Sequence, residues 1–320
     1  MIIRKKLSDT RWLAVTALVL VCLGCSAQTS WQSPLLRDHE LVGRIWLSEQ
    51  NRFISRSELI SLVQQRSLLL LGEKHDNPDH HRLRLELLRA VLLPDGRSQV
   101  VLEMMERSQQ VAIDTLVAGK LPSDDTTLAD RLDWDTEGWP WALYGPVVKL
   151  ALQRDAGIRA GNINRSEVMQ IYSNSEDGEA IRGLNTEQLA QLERDIDSSH
   201  CGMLPPGQFP AMVRVQQARD KRMADALMSG IDRFDQAILL AGNYHIRHDL
   251  GVPNYLDHQL DHQISEPPLS IAFLEVDPDQ THPEAYLQRF SQQNAYDVIW
   301  FTPALRQNDY CADMRASQSQ

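Results

Sequence analysis

The sequence predicts an α/β protein: a mainly parallel β-sheet flanked by helices, with a smaller all-helical second domain formed by insertions. Three observations lead there. Short apolar runs without alternation, such as Leu68-Leu69-Leu70-Leu71 and Ala237-Ile238-Leu239-Leu240, read as strands buried on both faces. Helical text separates them, as parallel strands require. Each run also ends in polar residues, at the sheet edge where open α/β folds place their ligands.

Residues 1–24 read as a lipoprotein signal peptide and stand apart from the fold. Arg4, Lys5, Lys6 and Arg11 form a basic start, and Trp12 to Leu23 form an apolar stretch of 12 residues. A membrane-spanning helix needs about 20. The segment closes on Leu23-Gly24-Cys25, which resembles a bacterial lipoprotein signal with Cys25 as the lipidated residue, although Cys22 stands where that pattern prefers Leu. An ordinary cleaved signal is the alternative. Acyl chains on Cys25 would anchor the chain to a membrane surface. Ser26 after the cysteine points, by resemblance to lipoprotein sorting, to the outer membrane with the protein facing the periplasm.

The leader carries four basic residues and one acidic residue, so removing it turns the net charge of −11 into −14. That sign argues against a nucleic-acid partner, whose affinity rests on phosphate neutralisation. Cys201 and Cys311 are the two cysteines beyond the leader region. In an oxidising compartment they are expected to pair. The alternative makes Cys201, beside His200, a ligand or nucleophile.

Residues 25–40 read as a tether. A small β-element follows, Arg44 to Leu47 and Arg52 to Ile54, and then a helix with Ser57 as its N-cap. A strand over 67–72 leads to a helix over 78–93, where Asn77 can cap, Pro78 sits at the first position and Asp79 favours the helix dipole. Next come a strand over 99–104, a helix over 146–156 closed by Gly157, and a strand over 158–162. The late strands are 236–241, 269–275 and 296–301. Residues 41–104, 144–165 and 231–311 thus compose the sheet domain. The helical stretches 105–143 and 166–230, the second with helices opening at Thr186 and Gln208, compose the insertion subdomain. Residues 312–320 are a polar tail.

The strand ends carry the chemistry. The first long strand runs into Glu73-Lys74-His75, the next into Glu103, and later ones into Asn162, Asn243-Tyr244-His245 and Glu275. His75 can serve as metal ligand or general base, with Glu73 orienting it or acting as an acid/base itself. Two histidines and two carboxylates (His75, His245, Glu73 and Glu103) also suit one divalent ion with an activated water. Any one of them alone is more simply a hydrogen-bonded structural residue. His80 and His81 open the crossover helix, one facing the crevice and the other water. Asp220 and Gln216, four apart, share a helix face that reads as solvated. Trp134, Trp139, Trp141 and Tyr144 form an aromatic cluster suited to core packing, to a planar ligand or to an interface. No GxSxG, P-loop, GxGxxG, HExxH or paired CxxC motif occurs, which disfavours serine hydrolases, nucleotide enzymes and zincins.

Several of these segments resemble the ChaN-like haem-binding lipoproteins. They are Leu71-Gly72-Glu73-Lys74-His75-Asp76-Asn77-Pro78 with His80-His81, Val101-Leu102-Glu103-Met104, Asp133-Trp134 with Gly138-Trp139 and Tyr144, His200-Cys201-Gly202-Met203-Leu204-Pro205, Gln217-Ala218-Arg219-Asp220, and Ala241-Gly242-Asn243-Tyr244-His245 with Gly251-Val252-Pro253. The resemblance spans about residues 40–305. It implies a membrane-anchored protein of haem and iron uptake, with an outer-membrane haem receptor as partner and a homodimer around a shared planar ligand as an option. Haem would be non-covalent, since the sequence has no CxxCH. Under this resemblance Tyr144 is the first axial-ligand candidate and Tyr244 the second. His80, His81 and His200 are expected to bond propionates or complete the coordination. A more distant likeness to the Tiki/TraB and erythromycin-esterase group implies the alternative, a metal-dependent or acid/base hydrolase using Glu73, His75, Glu103 and His245.

Overall fold

A computed structural model describes residues 30–93, 97–173, 183–256, 266–287, 294–306, 311 and 315. The signal peptide, Cys25 and, apart from Arg315, the tail 312–320 lie outside the described residues. The strands are β1 (Ile45–Leu47), β2 (Arg52–Ile54), β3 (Leu68–Leu71), β4 (Ser98–Glu106), β5 (Gly157–Asn162), β6 (Gln236–Leu240), β7 (Leu269–Glu275) and β8 (Val298–Thr302). They form one sheet in the order β2-β1-β8-β7-β3-β6-β4-β5. From β8 to β5 every pair is parallel, while β1 runs antiparallel to both β2 and β8.

The unbroken apolar runs are explained by burial on two sides. In β3, Leu69 and Leu71 enter one core layer while Leu68 and Leu70 enter the other. In β6, Ile238 and Leu240 alternate with Ala237 and Leu239 in the same way. The first face is covered by α1 (Arg56–Val63), α2 (Pro78–Val91), α3 (Gln110–Val117), α4 (Asp125–Arg131) and α5 (Trp141–Gln153). The rest of the helical text forms α6 (Arg165–Ser173), α7 (Thr186–Ser199) and α8 (Phe209–Met228). Of these, α8 lies across β4, β5 and β6, with α6 and α7 packed on it. Residues 31–320 make one compact unit, so the two helical insertions and the sheet share it.

Local chemistry corrects four boundaries. Ser55, not Ser57, caps α1, in a reciprocal capping box with Glu58. Helix α5 begins at Trp141, after Pro140, and carries Pro146 inside it. A proline there removes one helical hydrogen bond, yet Tyr144, Val147, Val148 and Ala151 form a buried stripe that carries the helix through. Residues 31–40, expected as tether, are fastened to the body. The fully buried Asp79 accepts from the amides of Gln32 (3.0 Å) and Ser33 (2.8 Å), and Leu35 bridges to Ala304. Finally, α2 stops at Val91; Asn77 caps its start by accepting from the amides of Asp79 and His80.

Insertion of β6 between β3 and β4 decides the site. Leu71, Leu240 and Leu102 lie side by side in register, so the loops that follow them leave the sheet together. Residues distant in sequence, 73–77, 103–106 and 241–246, thereby meet at one carboxyl edge. Beyond it, Cys201 at the end of α7 is disulfide-bonded to Cys311, 110 residues away, with their Cα atoms 5.4 Å apart.

Candidate functional site

Two polar systems grow from that edge. In the first, Glu73 is buried beneath the loop after β3, where His75 Nδ1–H donates to its Oε1 at 2.8 Å and the Tyr144 hydroxyl donates to the same oxygen at 3.0 Å. Arg84, fully buried, stands 3.8 Å away. Burial works to raise the Glu73 pKa, but the His75 hydrogen bond and the Arg84 charge outweigh it and hold the carboxyl below its usual range. For His75 the balance runs the other way in sign. Burial acts to lower its pKa, and the bond and charge of Glu73 raise it overall. The His75 side chain is half exposed, against none of Glu73. The imidazole is thus fixed at Nδ1 and open at its other nitrogen.

The second system joins three elements. His245 lies between two buried carboxylates: Glu103 Oε1 is 3.3 Å from Nε2, and Asp220 Oδ1 of α8 is 2.5 Å from Nδ1. Burial alone would lower the His245 pKa, but these two charges push it up to about 10. Glu103 also accepts from the Gly242 amide at 2.7 Å. Burial would raise the Glu103 carboxyl, yet the charge and hydrogen bond of His245 bring it down to about 2. Burial raises the Asp220 pKa and the Glu103 charge adds to that rise, while the charge and hydrogen bond of His245 act against it. Gly242 lets the two systems approach: a Cβ there would stand 3.0 Å from His75 Cε1 and 3.8 Å from Glu103 Oε2. Glu73, His75, Glu103 and His245 therefore do gather at one edge.

Other strand ends brace this arrangement. Glu275 accepts from Asn77 Nδ2 (2.7 Å) and Lys74 Nζ (2.9 Å), holding the 73–77 loop against β7. Asn162 donates to the Glu103 carbonyl at 3.0 Å. Among the described residues no group of three or more His, Cys, Asp or Glu has the convergence a metal ion requires. Of the residues expected as metal ligands, His245 has a carboxylate at each nitrogen and His75 has its Nδ1 bonded to Glu73.

Above the edge lies a cavity of about 690 Å³. Its floor includes His75, Gln216, Arg219, Gly242 and His245, and its walls include Val168, Leu192, Ile196, Met212, Val215 and Phe273. Size and mixed lining suit a largely apolar ligand held by a few polar groups. A smaller cavity of about 350 Å³, with Glu103, Glu106, Trp139, Asn162 and Arg165 in its wall, adjoins it at His75, Val168 and Arg219.

The expected ligand residues divide. Tyr144 is buried, with its hydroxyl turned inward to Glu73, and both burial and Glu73 raise its pKa, so it belongs to the support and not to a ligand surface. Tyr244 lines the cavity, but its hydroxyl donates to Asp195 at 3.0 Å; burial and that carboxylate disfavour a phenolate. His80 is fully buried, with Nδ1 accepting from the Lys74 amide and Nε2 donating to Thr302 Oγ1. His81 donates from Nε2 to the His75 carbonyl and accepts at Nδ1 from Arg84, and burial lowers its pKa to about 4. Neither has a nitrogen left for a propionate.

His200 differs. It lines the cavity, its Nδ1–H donates to the Ile196 carbonyl at 2.7 Å, and its Nε2 has no hydrogen bond among the described residues. A carbonyl on Nδ1 leaves the lone pair on Nε2, as in metal-ligating histidines. The turn after it, where Cys201 and Gly202 take positive φ and the Gly202 amide donates to Asp197, sits beside the disulfide.

Three residues escaped the reading of the sequence. Gln216 and Asp220 do share a face, but it is turned to His245 and not to water. The signal was present: Asp220 lies in register with Met223, Ala224 and Leu227, the buried stripe of α8. Arg219 lies four residues from Val215 and from Met223, both buried on the same helix, and within the segment that carried the resemblance. The aromatic cluster is support: Trp134 packs edge-on to Trp141 at 5.2 Å, and Trp139 packs edge-on to both Tyr144 and His75.

Residues 59–256 match the family described as haem-binding uptake, Tiki superfamily, ChaN. The fold is shared with ChaN of Campylobacter jejuni, described by its cofacial haem binding, at 23% identity and a TM-score of 0.65, over 80% of this chain and 95% of that one. Weaker likenesses are an erythromycin esterase variant in its open conformation (16% identity, 71% of this chain and 76% of that one, TM-score 0.41) and the RRSP effector domain of a Vibrio vulnificus toxin (16% identity, 68% and 36%, TM-score 0.38). No curated protein matches the chain.

The charge states are testable by ring-nitrogen NMR. His245 stabilises the fold below its ordinary pKa of 6.5, and that contribution is lost as pH rises toward 10; Glu103 stabilises it above 4.5, and loses that contribution as pH falls toward 2. His245 is expected to remain doubly protonated at pH 8 while His81 is neutral at pH 6. A His245 midpoint near 6.5 would refute the buried imidazolium.

Proposed function

The chain belongs to the haem-binding uptake family of the Tiki superfamily that includes ChaN, and from that premise we propose that it binds haem non-covalently in the large cavity as part of haem or iron uptake. One observation carries the proposal beyond family membership: an apolar-walled cavity that presents a histidine nitrogen with a free lone pair, His200 Nε2. Bound there, haem would supply a ferric iron for an axial ligand to hold. The chain's residues would supply His200 as that ligand, apolar walls for the macrocycle faces, and the open nitrogen of His75 as a polar group at the floor. Tyr244 lies in the same cavity and is the second ligand candidate, its hydroxyl held by Asp195.

The reading extends to place and partner. The Cys25 signal supports a lipid-anchored protein on the periplasmic side of the outer membrane, exchanging haem with a receptor there. Two copies around shared haem are compatible with Met169 and Tyr172, which stand exposed on α6, the latter at the cavity.

A second reading rests on the first polar system. A half-exposed imidazole oriented by a buried carboxylate is the arrangement of a general base, and it supports acid/base hydrolysis at the same cavity. His245, already protonated, would then stabilise charge beneath the reacting group.

Ferric haem added to the purified protein is expected to give a saturable Soret shift, and His200→Ala to weaken binding by about tenfold or more. Saturable binding unchanged in that variant, but lost in Tyr244→Phe, would transfer the ligand role to Tyr244; no saturable shift at all would sink the haem reading. In cells, Cys25→Ser should move the protein from the membrane to the soluble fraction, and a variant that stays membrane-bound refutes lipidation at Cys25. For the second reading, ester hydrolysis should fall by roughly 100-fold or more in His75→Ala, and activity that survives the substitution excludes the base.

A further inference from the structure

The wall between the two cavities holds an arginine without an ion pair among the described residues. His75, Val168 and Arg219 line both spaces. Arg219 makes no ion pair among the described residues, and its Nε is buried without a hydrogen bond. The carboxylate next to it, Asp220, is committed to His245 at 2.5 Å. Arg165, at the first turn of α6, lines the smaller cavity and has no ion pair among the described residues either. Nearby arginines are engaged: Arg107 with Glu167, Arg159 with Asp114, and Arg222 with the Ala160 carbonyl.

An orphan buried donor carries a desolvation cost, which a bound acceptor would relieve. Of the acids in the smaller cavity, Glu103 is already held by the Gly242 amide and His245. A guanidinium fork is the side chain best matched to a planar carboxylate.

We propose that Arg219, with Arg165 beyond it, is a carboxylate-recognition site that receives an acidic arm of a flat ligand whose apolar body occupies the large cavity. The assignment rests on the haem reading, in which the arm is a propionate. It gives the smaller cavity a purpose: space and positive charge for the polar edge of a ligand too apolar to be oriented by the larger one. It also separates two tasks on α8, where Asp220 holds the floor together and Arg219, one residue earlier, faces the ligand.

The test compares ferric haem with its dimethyl ester, in which both carboxylates are masked, as ligands of the full chain in detergent. Wild-type protein is expected to bind haem about tenfold or more tighter than the diester. Arg219→Gln should bring haem down to the affinity of the diester while changing diester affinity by less than about twofold. Arg219→Lys should retain part of the preference, and it serves as the conservative variant if Arg219→Gln fails to fold. Equal affinity of the wild type for haem and diester would overturn the carboxylate site and leave haem binding standing. Equal losses for both ligands in Arg219→Gln would overturn it too, by showing a structural role. Binding of neither ligand would instead defeat the haem reading on which the site rests.

Discussion

The imidazolium of His245, clasped between Glu103 and Asp220, is the interaction on which the site depends. It ties β4, the loop after β6 and helix α8 into one object at the carboxyl edge. The three groups are nearly inaccessible to water, so removing any one would leave uncompensated charge in a poorly solvated place. Such a cluster is not a general source of stability, because desolvation offsets much of the attraction. Its effect is positional. With Asp220 fixed, α8 has one rotation about its axis, and that rotation directs Gln216 to His245 and sets Met212, Val215 and Arg219 in the cavity wall.

A neutral set of histidines accompanies this charged one. His80 and His81 have their nitrogens satisfied by backbone and side-chain partners, and burial keeps their pKa values low. They hold the 73–77 loop in shape at no cost in buried charge. His75 stands between the two cases, fixed on one side and open on the other. Four histidines close in sequence or space thus take different electrical roles, the charged one set by carboxylates at its nitrogens and the buried neutral ones by uncharged or cationic partners.

The sequence made the layer plan legible because burial on two faces leaves an unambiguous trace in runs such as Leu68–Leu71, and Asn77-Pro78-Asp79 marked a helix start through ordinary capping chemistry. It also placed Glu73, Glu103 and His245 on one edge, since parallel strands share a carboxyl edge, while the strand order that makes them neighbours came from the structure. The ligand residues were less legible. Tyr144 belongs to the same segment as three tryptophans, and nothing in one dimension says whether a phenol points inward to a carboxylate or outward to a cavity. Asp220 looked like a surface acid because its partner lies 25 residues away behind a strand. Arg219 stood in a segment that carried the resemblance, but its place between two cavities requires coordinates. The N-terminal strap at Gln32 and Ser33 was missed for a similar reason: its anchor is Asp79, a residue whose helix-start position already explained it.

The two functional readings draw on different atoms of one cavity, and that bears on how they relate. Iron binding calls for a lone pair from the wall, which His200 offers away from the strand ends. Acid/base chemistry calls for the floor, where Glu73 orients His75 and the imidazolium of His245 lies alongside. A macrocycle seated on the walls would cover the floor and leave little room for a second substrate, so the two uses compete for space even though they share no essential atom. The floor's groups are bound chiefly to one another, and most of its hydrogen-bonding capacity is consumed in holding strand ends and α8. That economy favours the floor as a rigid, polar base for a bound ligand. His75 keeps an open imidazole nitrogen at that floor, so acid/base chemistry in this cavity would pass through it.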